Sequence, residues 1–243
     1  MNTIHFVLQG KGGVGKSLIS SIIAQYFQEV DDNTECIDTD PVNATLHGFK
    51  ALNVVRLDII NEAKVNERNF DDMMELLVTK DKNFIIDNGA SSFVPLSSYL
   101  VENKAVETLL SIGKKIVVHV VITGGQAMID TLNGFNRLAT QFPPEVEIVI
   151  WRNEFFGPVR LEGKDLEETE AYIRNRESVR DIVTLYRKSV DTFGKDVENM
   201  LKRRLTFSEA IASEEFSIMS KQRLKMMQRS IFDQLDRVFN EQG

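Results

Sequence analysis

The stretch GKGGVGKS (10–17) decides the fold, since it places four glycines and two lysines within eight residues. It matches G-x-x-x-x-G-K-[ST], the pattern of a loop that binds phosphate between a strand and a helix. The apolar run IHFVLQ (4–9) stands before it, and the apolar-faced run SLISSIIAQYFQEV (17–30) begins at its last residue. Because that context is what confirms the pattern, we predict a strand, a phosphate-binding loop and a helix in this order.

The residues of this loop suit a bound nucleoside triphosphate. Glycines let backbone N–H groups turn inward around the phosphates, and the positive end of the following helix adds to the attraction. Lys16 would neutralise charge on the β- and γ-phosphates, and Ser17 would offer its hydroxyl to Mg²⁺. The predicted nucleotide contacts in the loop are Gly10, Lys11, Gly12, Gly13, Val14, Gly15, Lys16, Ser17 and Leu18.

The first lysine of the loop, Lys11, is not required by the pattern. Two ammonium groups this close repel each other unless a strongly anionic ligand lies in the loop. If Lys11 cannot fold back onto the phosphates of its own chain, its side chain can point outward. A second copy of the chain, docked face to face, could then receive it at its own nucleotide.

Short apolar runs that alternate with helical patterns make up much of the chain. The runs after the first helix are 35–40, 54–60, 83–89, 115–125, 145–153 and 181–186, with a further helix near 70–78. Such alternation is typical of a parallel sheet covered by helices. We therefore predict an α/β fold with a mostly parallel twisted sheet and helices on both faces. No Pro/Gly/Ser-rich linker interrupts it, so we expect a single domain over residues 1–243.

Polar residues follow these apolar runs directly. The segments are DTDP (38–41), DNGASS (87–92), TGGQ (123–126) and WRNE (151–154), in addition to the glycine loop itself. Ligands of parallel α/β sheets bind beyond the carboxyl ends of the strands. These segments are therefore expected to meet around the bound nucleotide.

The segment KGGVGKS (11–17) resembles the deviant Walker A loop of the ParA/MinD group of ATPases. The resemblance extends to DTDP (38–41), FIIDNGA (84–90) and IVIWRN (148–153), in the family's order. It implies an ATP- and Mg²⁺-dependent switch that forms a nucleotide-sandwich dimer, in which Lys11 reaches across to the partner's ATP. Slow ATP hydrolysis is implied as well.

The same resemblance assigns roles to individual residues. Asp40 would position the attacking water, and Asp87 would hold Mg²⁺ through water. Asp38 would lie near the metal shell, and Asn153 would contact the adenine. Two departures stand out: Leu18 replaces the hydroxyl residue that usually follows Ser17, and DNGASS (87–92) replaces a turn that usually contains proline.

A narrower resemblance covers almost the whole chain. The segments LQGKGGVGKS (8–17), CIDTDPVNAT (36–45), IIDNGASSFVPLS (85–97) and TGGQAMID (123–130) are similar to those of the TraL family, encoded in the transfer regions of IncP-type conjugative plasmids. This resemblance implies a role in conjugative DNA transfer. The implied partners are relaxosome proteins or components of a type IV secretion apparatus.

Two other functions stay open at this point. A plasmid partition or positioning ATPase would bind DNA non-specifically, although the net charge of −7 does not indicate a global affinity for nucleic acid. An ATP-dependent small-molecule ligase, similar to dethiobiotin synthetase, is the other alternative, because polar residues at 87–92 do not exclude it. GTP specificity lacks support, since no N/T-K-x-D follows a late strand.

Composition also bears on location. The longest strongly apolar run, IVVHVVI (116–122), is a third of a membrane span, and the first residues do not resemble a secretory signal. The single cysteine, Cys36, excludes an internal disulfide and lies in an apolar stretch, so we expect a buried, inert thiol. His5 and His119 lie in apolar runs and are expected to be structural. We predict a cytoplasmic protein without membrane insertion.

The C-terminal region combines an apolar stripe with basic residues. A helix face that packs on the sheet is predicted from Leu224, Met227, Ile231, Leu235 and Val238. A membrane-surface helix is the less favoured alternative, because the opposite face lacks a basic excess. A DNA-contacting patch or ordinary solvated helix faces would account equally well for Lys202, Arg203, Arg204, Lys221, Arg223 and Lys225.

Overall fold

The structure, a computed structural model, describes residues 2–30, 33–61, 64–65 and 68–240. Seven strands form one sheet in which every neighbouring pair is parallel. They are β1 (Thr3–Leu8), β2 (Thr34–Asp38), β3 (Val55–Arg56), β4 (Asn83–Asp87), β5 (Lys115–Thr123), β6 (Glu147–Asn153) and β7 (Val179–Leu185). Their order across the sheet is β7-β6-β5-β1-β4-β2-β3. The predicted parallel α/β fold is confirmed.

Helices connect and cover these strands. They are α1 (Lys16–Val30), α2 (Asn69–Thr79), α3 (Phe93–Glu102), α4 (Ala105–Ser111), α5 (Met128–Gln141), α6 (Glu170–Arg174), α7 (Lys195–Lys202), α8 (Phe207–Ala212) and α9 (Ile218–Phe239). Two short antiparallel pairs, Ile60–Asn61 with Lys64–Val65 and Arg160–Leu161 with Lys164–Asp165, lie outside the main sheet. No helix of the described ranges has the length and apolar character that crossing a bilayer requires.

The alternation of side chains along β5 separates two hydrophobic cores. Ile116, Val118, Val120 and Ile122 face one core, which α2 to α6 cover. Val117 and Val121, between them, face the other core, which α1 and α7 to α9 cover. Because successive strand residues point to opposite faces, continuous burial of such a strand requires helices on both faces. This prediction is confirmed as well.

The C-terminal helix packs as its apolar stripe predicts. In α9, Leu224, Ile231, Leu235 and Val238 are buried in the second core, and Met227 packs against it. The stripe is therefore already covered by the protein itself.

Two buried histidines and the single tryptophan form a hydrogen-bonded chain beneath this helix. Trp151 Nε1 can only donate, and it lies 2.9 Å from His119 Nδ1. His119 must then carry its proton on Nε2, which lies 2.9 Å from His5 Nδ1. His5 also contacts the rings of Phe27 and Phe239. Both histidines are neutral structural residues, as the sequence predicts.

This chain gives the fold an expected sensitivity to acid. Burial, followed by the charges of Arg180 and Lys115, lowers the pKa of His5 to about 3, and burial also lowers the pKa of His119. Below about pH 6.5 both histidines take up protons in the unfolded chain, whereas in the folded protein they stay neutral. The free energy of unfolding therefore decreases as the pH falls from about 6.5 toward 3. The free energy of unfolding decreases by at most about 1.4 kcal/mol per pH unit for each histidine.

We expect His5→Gln to make this dependence shallower, because a glutamine can accept the His119 hydrogen bond but does not titrate. Trp151 fluorescence during urea unfolding at pH 7, 6, 5 and 4 measures the free energy of unfolding. Other groups titrate too, so the test is the difference in slope between the variant and the unmodified protein. If the free energy of unfolding depends on pH with the same slope in both proteins, His5 does not contribute to the acid sensitivity.

Candidate functional site

The glycine-rich loop lies between β1 and α1, as predicted. Gly13 and Gly15 have φ values of +74° and +101°, which residues with a side chain rarely adopt. The backbone N–H of Ile19 donates to Gly15 O at 2.9 Å, so the helix begins directly after the loop. The glycines are therefore required by the backbone path of the loop.

Lys16 lies inside the loop. Its Nζ donates to the carbonyl oxygen of Lys11 at 2.8 Å, and the residue is only 7% exposed. Burial lowers the pKa of Lys16, while the carboxylates of Asp87 and Asp40 act in the opposite direction. A buried ammonium that is bonded to a backbone carbonyl is poorly compensated, so an anionic phosphate would be a better partner.

Lys11 lies on the outside of the same loop. Its Nζ is 2.8 Å from Asp130 Oδ2, in the first turn of α5, and the two side chains are 46% and 55% exposed. Exposed ion pairs of this kind contribute at most about 1 kcal/mol, so this one opens easily. The two lysines of the loop thus point to different surroundings.

Two carboxylates lie side by side at the ends of β2 and β4. Asp38 and Asp87 are paired in the register of these strands, and both are buried. Burial, followed by the charge of Asp38, raises the pKa of Asp87 to about 7, while the hydroxyls of Ser17 and Ser20 and the charge of Lys16 lower it. The charge of Asp87 is thus poorly compensated by its surroundings.

The arrangement fits a hydrated divalent cation. Asp87 Oδ1 accepts from Ser20 Oγ at 2.8 Å, while Asp87 Oδ2 has no hydrogen-bond partner among the described residues. Mg²⁺ prefers oxygen ligands and keeps several waters, which could donate to such an oxygen. No group of three or more His, Cys, Asp or Glu side chains that could hold a metal ion occurs in the described ranges.

Asp38 already has partners in the protein. Its Oδ1 accepts from Asp40 N and its Oδ2 from His47 N, both at 2.9 Å. These bonds fix the path of the loop that leaves β2 and carries Asp40. A place for Asp38 near the metal shell remains a prediction.

The loops after β2 and β4 are packed against each other. Asp40 Oδ1 accepts from Val42 N and Asn43 N at 2.9 and 3.1 Å, which makes a local turn. A Cβ at Gly89 would lie 2.7 Å from the Asp40 side chain, so the glycine makes the close approach possible. The Thr39 hydroxyl also donates to Asp87 O at 3.0 Å. A change in the conformation of one loop would therefore alter its contacts with the other.

Asn153 holds the other side of the phosphate loop. Its Nδ2 donates to Val14 O at 2.9 Å, and its Oδ1 accepts from Phe155 N at 3.1 Å. Beside it opens an apolar groove of about 250 Å³, lined by Leu18, Phe155, Phe156, Tyr186, Phe193 and Leu201 among others. The groove offers a nucleobase apolar and aromatic walls next to the loop. Direct contact of Asn153 with adenine stays a prediction.

The sequence is 50% identical over 236 residues to Protein TraL of Escherichia coli, covering 97% of this chain and 98% of that relative. The chain belongs to the TraL family. A second Protein TraL of Escherichia coli is 49% identical over 236 residues, with the same coverage. No protein-family model matches the sequence.

The fold of this TraL-family chain is that of MinD. The MinD cell division protein of Aquifex aeolicus superposes with a TM-score of 0.50 and 13% identity, covering 96% of this chain and 98% of that one. At this identity the likeness concerns the fold alone. It confirms the fold that the resemblance of the glycine loop implies.

Some residues of this candidate site are not among the sequence predictions. Asp130 holds Lys11, and Ser20 holds Asp87. Gln9 is fully buried directly before the loop. Ser20 lies one helical turn after Lys16, so its position relative to the loop could have indicated it. Asp130 and Gln9 carry no such local signal, because Lys11 is distant from Asp130 and the carbonyl oxygens that Gln9 binds belong to distant parts of the chain.

Proposed function

We propose that this chain is a Mg-ATP-dependent switch that forms a nucleotide-sandwich dimer, hydrolyses ATP slowly and acts in conjugative DNA transfer in the cytoplasm. The observation that carries the proposal is the division between the two lysines. Lys16 is buried and turned inward, whereas Lys11 points outward and pairs with an exposed carboxylate.

This division supports a role for Lys11 in a second molecule. Its ion pair with Asp130 keeps the ammonium on the outer face of the loop while no partner is bound. A triphosphate carries several negative charges, and its attraction would exceed that of one exposed carboxylate. Dimerisation would therefore transfer Lys11 from Asp130 to the partner's ATP, which links the nucleotide state to the shape of this face.

The remaining residues have complementary tasks in this proposal. Lys16 and the partner's copy of Lys11 stabilise the charge that develops on the transferred phosphate. Asp40, held beside Gly89, orients the attacking water. Mg²⁺, held by Ser17 and through water by Asp87, would neutralise phosphate charge.

The mass of the protein in solution tests the switch directly. We expect a monomer without nucleotide and a dimer with ATP and Mg²⁺. With Asp40→Ala the dimer should form equally well but persist, because hydrolysis no longer ends it; release of phosphate, measured in parallel, should fall at least about 100-fold. A protein that binds ATP but stays monomeric in both forms would refute the sandwich dimer.

The role in conjugation is supported by membership of the TraL family. It predicts that the chain, immobilised with ATP and Mg²⁺, captures relaxosome or type IV secretion proteins from cells that carry the conjugative plasmid. Capture should depend on the nucleotide and fail with Lys16→Ala. Capture that is the same with and without ATP would contradict a nucleotide-controlled partner.

The alternative of non-specific DNA binding has weaker support from the described residues. Three of the six basic side chains that could form a patch are engaged in ion pairs: Lys202 with Glu198, Arg203 with Glu215 and Arg223 with Asp196. ATP-dependent, salt-sensitive retention of random duplex DNA would nevertheless favour this alternative. Rapid ATP turnover that requires a small-molecule substrate would favour the ligase.

A further inference from the structure

A buried glutamine joins the phosphate-binding loop to α5. Gln9 is 0% exposed. Its Nε2 donates to Val121 O at 2.9 Å and to Thr131 O at 3.1 Å, and its Oε1 accepts from Gly10 N at 2.8 Å. Both donors face carbonyl oxygens and the acceptor faces an N–H, so the orientation of the amide is defined by its partners. One side chain thus bonds to the loop, to β5 and to α5.

The two bonded segments are the ones that hold Lys11. Gly10, whose N–H donates to Gln9, directly precedes Lys11 in the chain. Thr131, whose carbonyl accepts from Gln9, directly follows Asp130, the partner of Lys11. Gln9 therefore fixes the backbone beside Lys11 and the backbone beside Asp130 relative to each other.

Space for this amide is provided by a glycine inside α5. A Cβ at Gly134 would overlap Gln9 Oε1. The glutamine cannot swing aside without losing three buried hydrogen bonds, which makes the overlap costly. A glycine in a helix interior weakens the helix, so its presence here is accounted for by the close approach of Gln9.

We propose that Gln9 is a positioning residue for Lys11. It holds the first turn of α5 and the start of the phosphate loop as one unit, so that Lys11 is presented outward toward a second molecule. That Lys11 is meant for a second molecule rests on the proposed function. The positioning of Lys11 by Gln9 can be measured without nucleotide.

The first experiment measures the reactivity of Lys11 in the nucleotide-free protein. Pulse acylation of lysines, quantified by mass spectrometry, should label Lys11 up to about fivefold faster in Gln9→Leu than in the unmodified protein, because the exposed ion pair loses its support. Asp130→Asn is the positive control. Gln234→Leu is the matched control, since Gln234 is also buried and also makes three bonds, to Thr184 N, Thr184 O and Ser230 O.

An unchanged labelling rate of Lys11 in a folded Gln9→Leu protein would overturn the proposal, as would an equal increase in Gln234→Leu. If Gln9→Leu does not fold, Gln9→Glu keeps the acceptor for Gly10 N and removes the donors, and the same comparison applies. Neither result depends on ATP hydrolysis or dimerisation, so failure of the proposed function would be seen separately.

The second experiment uses ATP. Gln9→Leu should bind ATP within about threefold of the unmodified protein, since Lys16 and the other loop N–H groups remain. Turnover should fall by about 10- to 100-fold through misplacement of Lys11. A loss of ATP affinity with unchanged turnover at saturation would contradict the positioning role.

A double-variant cycle tests the fit between Gln9 and Gly134. Gly134→Ala should lower the urea midpoint of the unmodified protein, although alanine normally stabilises a helix. In a Gln9→Ala background the same substitution should raise the midpoint, because the overlap is gone. If Gly134→Ala shifts the urea midpoint in the same direction in both backgrounds, the glycine is not required by the close approach of Gln9.

Discussion

Lys16→Ala is expected to abolish measurable binding of ATP, with a loss of affinity of about 100-fold or more, because a charge-assisted bond to phosphate is worth up to about 3 kcal/mol. The protein has already brought this ammonium into a buried position against a backbone carbonyl. Phosphate would replace that neutral partner by an anion. Titration calorimetry with ATP and Mg²⁺ measures the loss.

Unfolding would not explain the result. The buried charge of Lys16 is compensated only in part, and burial lowers its pKa, so its removal should leave the free energy of unfolding unchanged or raise it. Lys114→Ala is a matched control, because Lys114 is similarly buried and its Nζ donates to a backbone carbonyl, Lys80 O, at 2.9 Å. Lys114 directly precedes β5, at the end of the sheet opposite to the loop. Undiminished ATP binding by Lys16→Ala would contradict the assignment of the loop.

The main elements of the fold could be predicted from the sequence because their signals are local. The strands of a sheet buried on both faces appear as short apolar runs, and the glycine loop marks the junction of β1 and α1. The ends of β2 and β4 lie within two residues of the ends of the predicted runs. The predicted runs extend further because the polar residues that follow each strand already belong to the loops. Placement of Asp38, Asp87 and Asn153 at one edge follows from the parallel order.

The contacts that organise the site could not be predicted, because they join distant segments. Asp130 is 119 positions from Lys11, and nothing near Asp130 in the sequence indicates a cationic partner. The pair Gly124–Gly125 is visible in the sequence, but its reason is not: a Cβ at Gly124 would overlap the carbonyl oxygens of Gly157 and Pro158. Such reasons depend on which loops meet in space.

Lys11→Ala is expected to separate binding from switching. ATP affinity should change by less than about threefold, because the Lys11 side chain lies on the outer face of the loop and the Lys16 side chain remains inside it. Dimer formation with ATP should be lost, and turnover should fall by about 1,000-fold or more, the scale of a cationic group supplied in trans to phosphoryl transfer. Calorimetry, mass in solution and phosphate release measure the three quantities on one preparation.

The opposite change to the same ion pair provides the control. Asp130→Asn keeps the shape of the side chain but releases Lys11, so dimerisation no longer has to break the pair. One such pair opens in each chain of the dimer, and each is worth at most about 1 kcal/mol, so we expect the ATP-bound dimer to form at up to about 25-fold lower concentration. If Lys11→Ala dimerises and turns over ATP normally while Asp130→Asn changes nothing, Lys11 acts only within its own chain. Effects of opposite sign in the two variants require that the ammonium leaves Asp130 for a site that only the dimer offers.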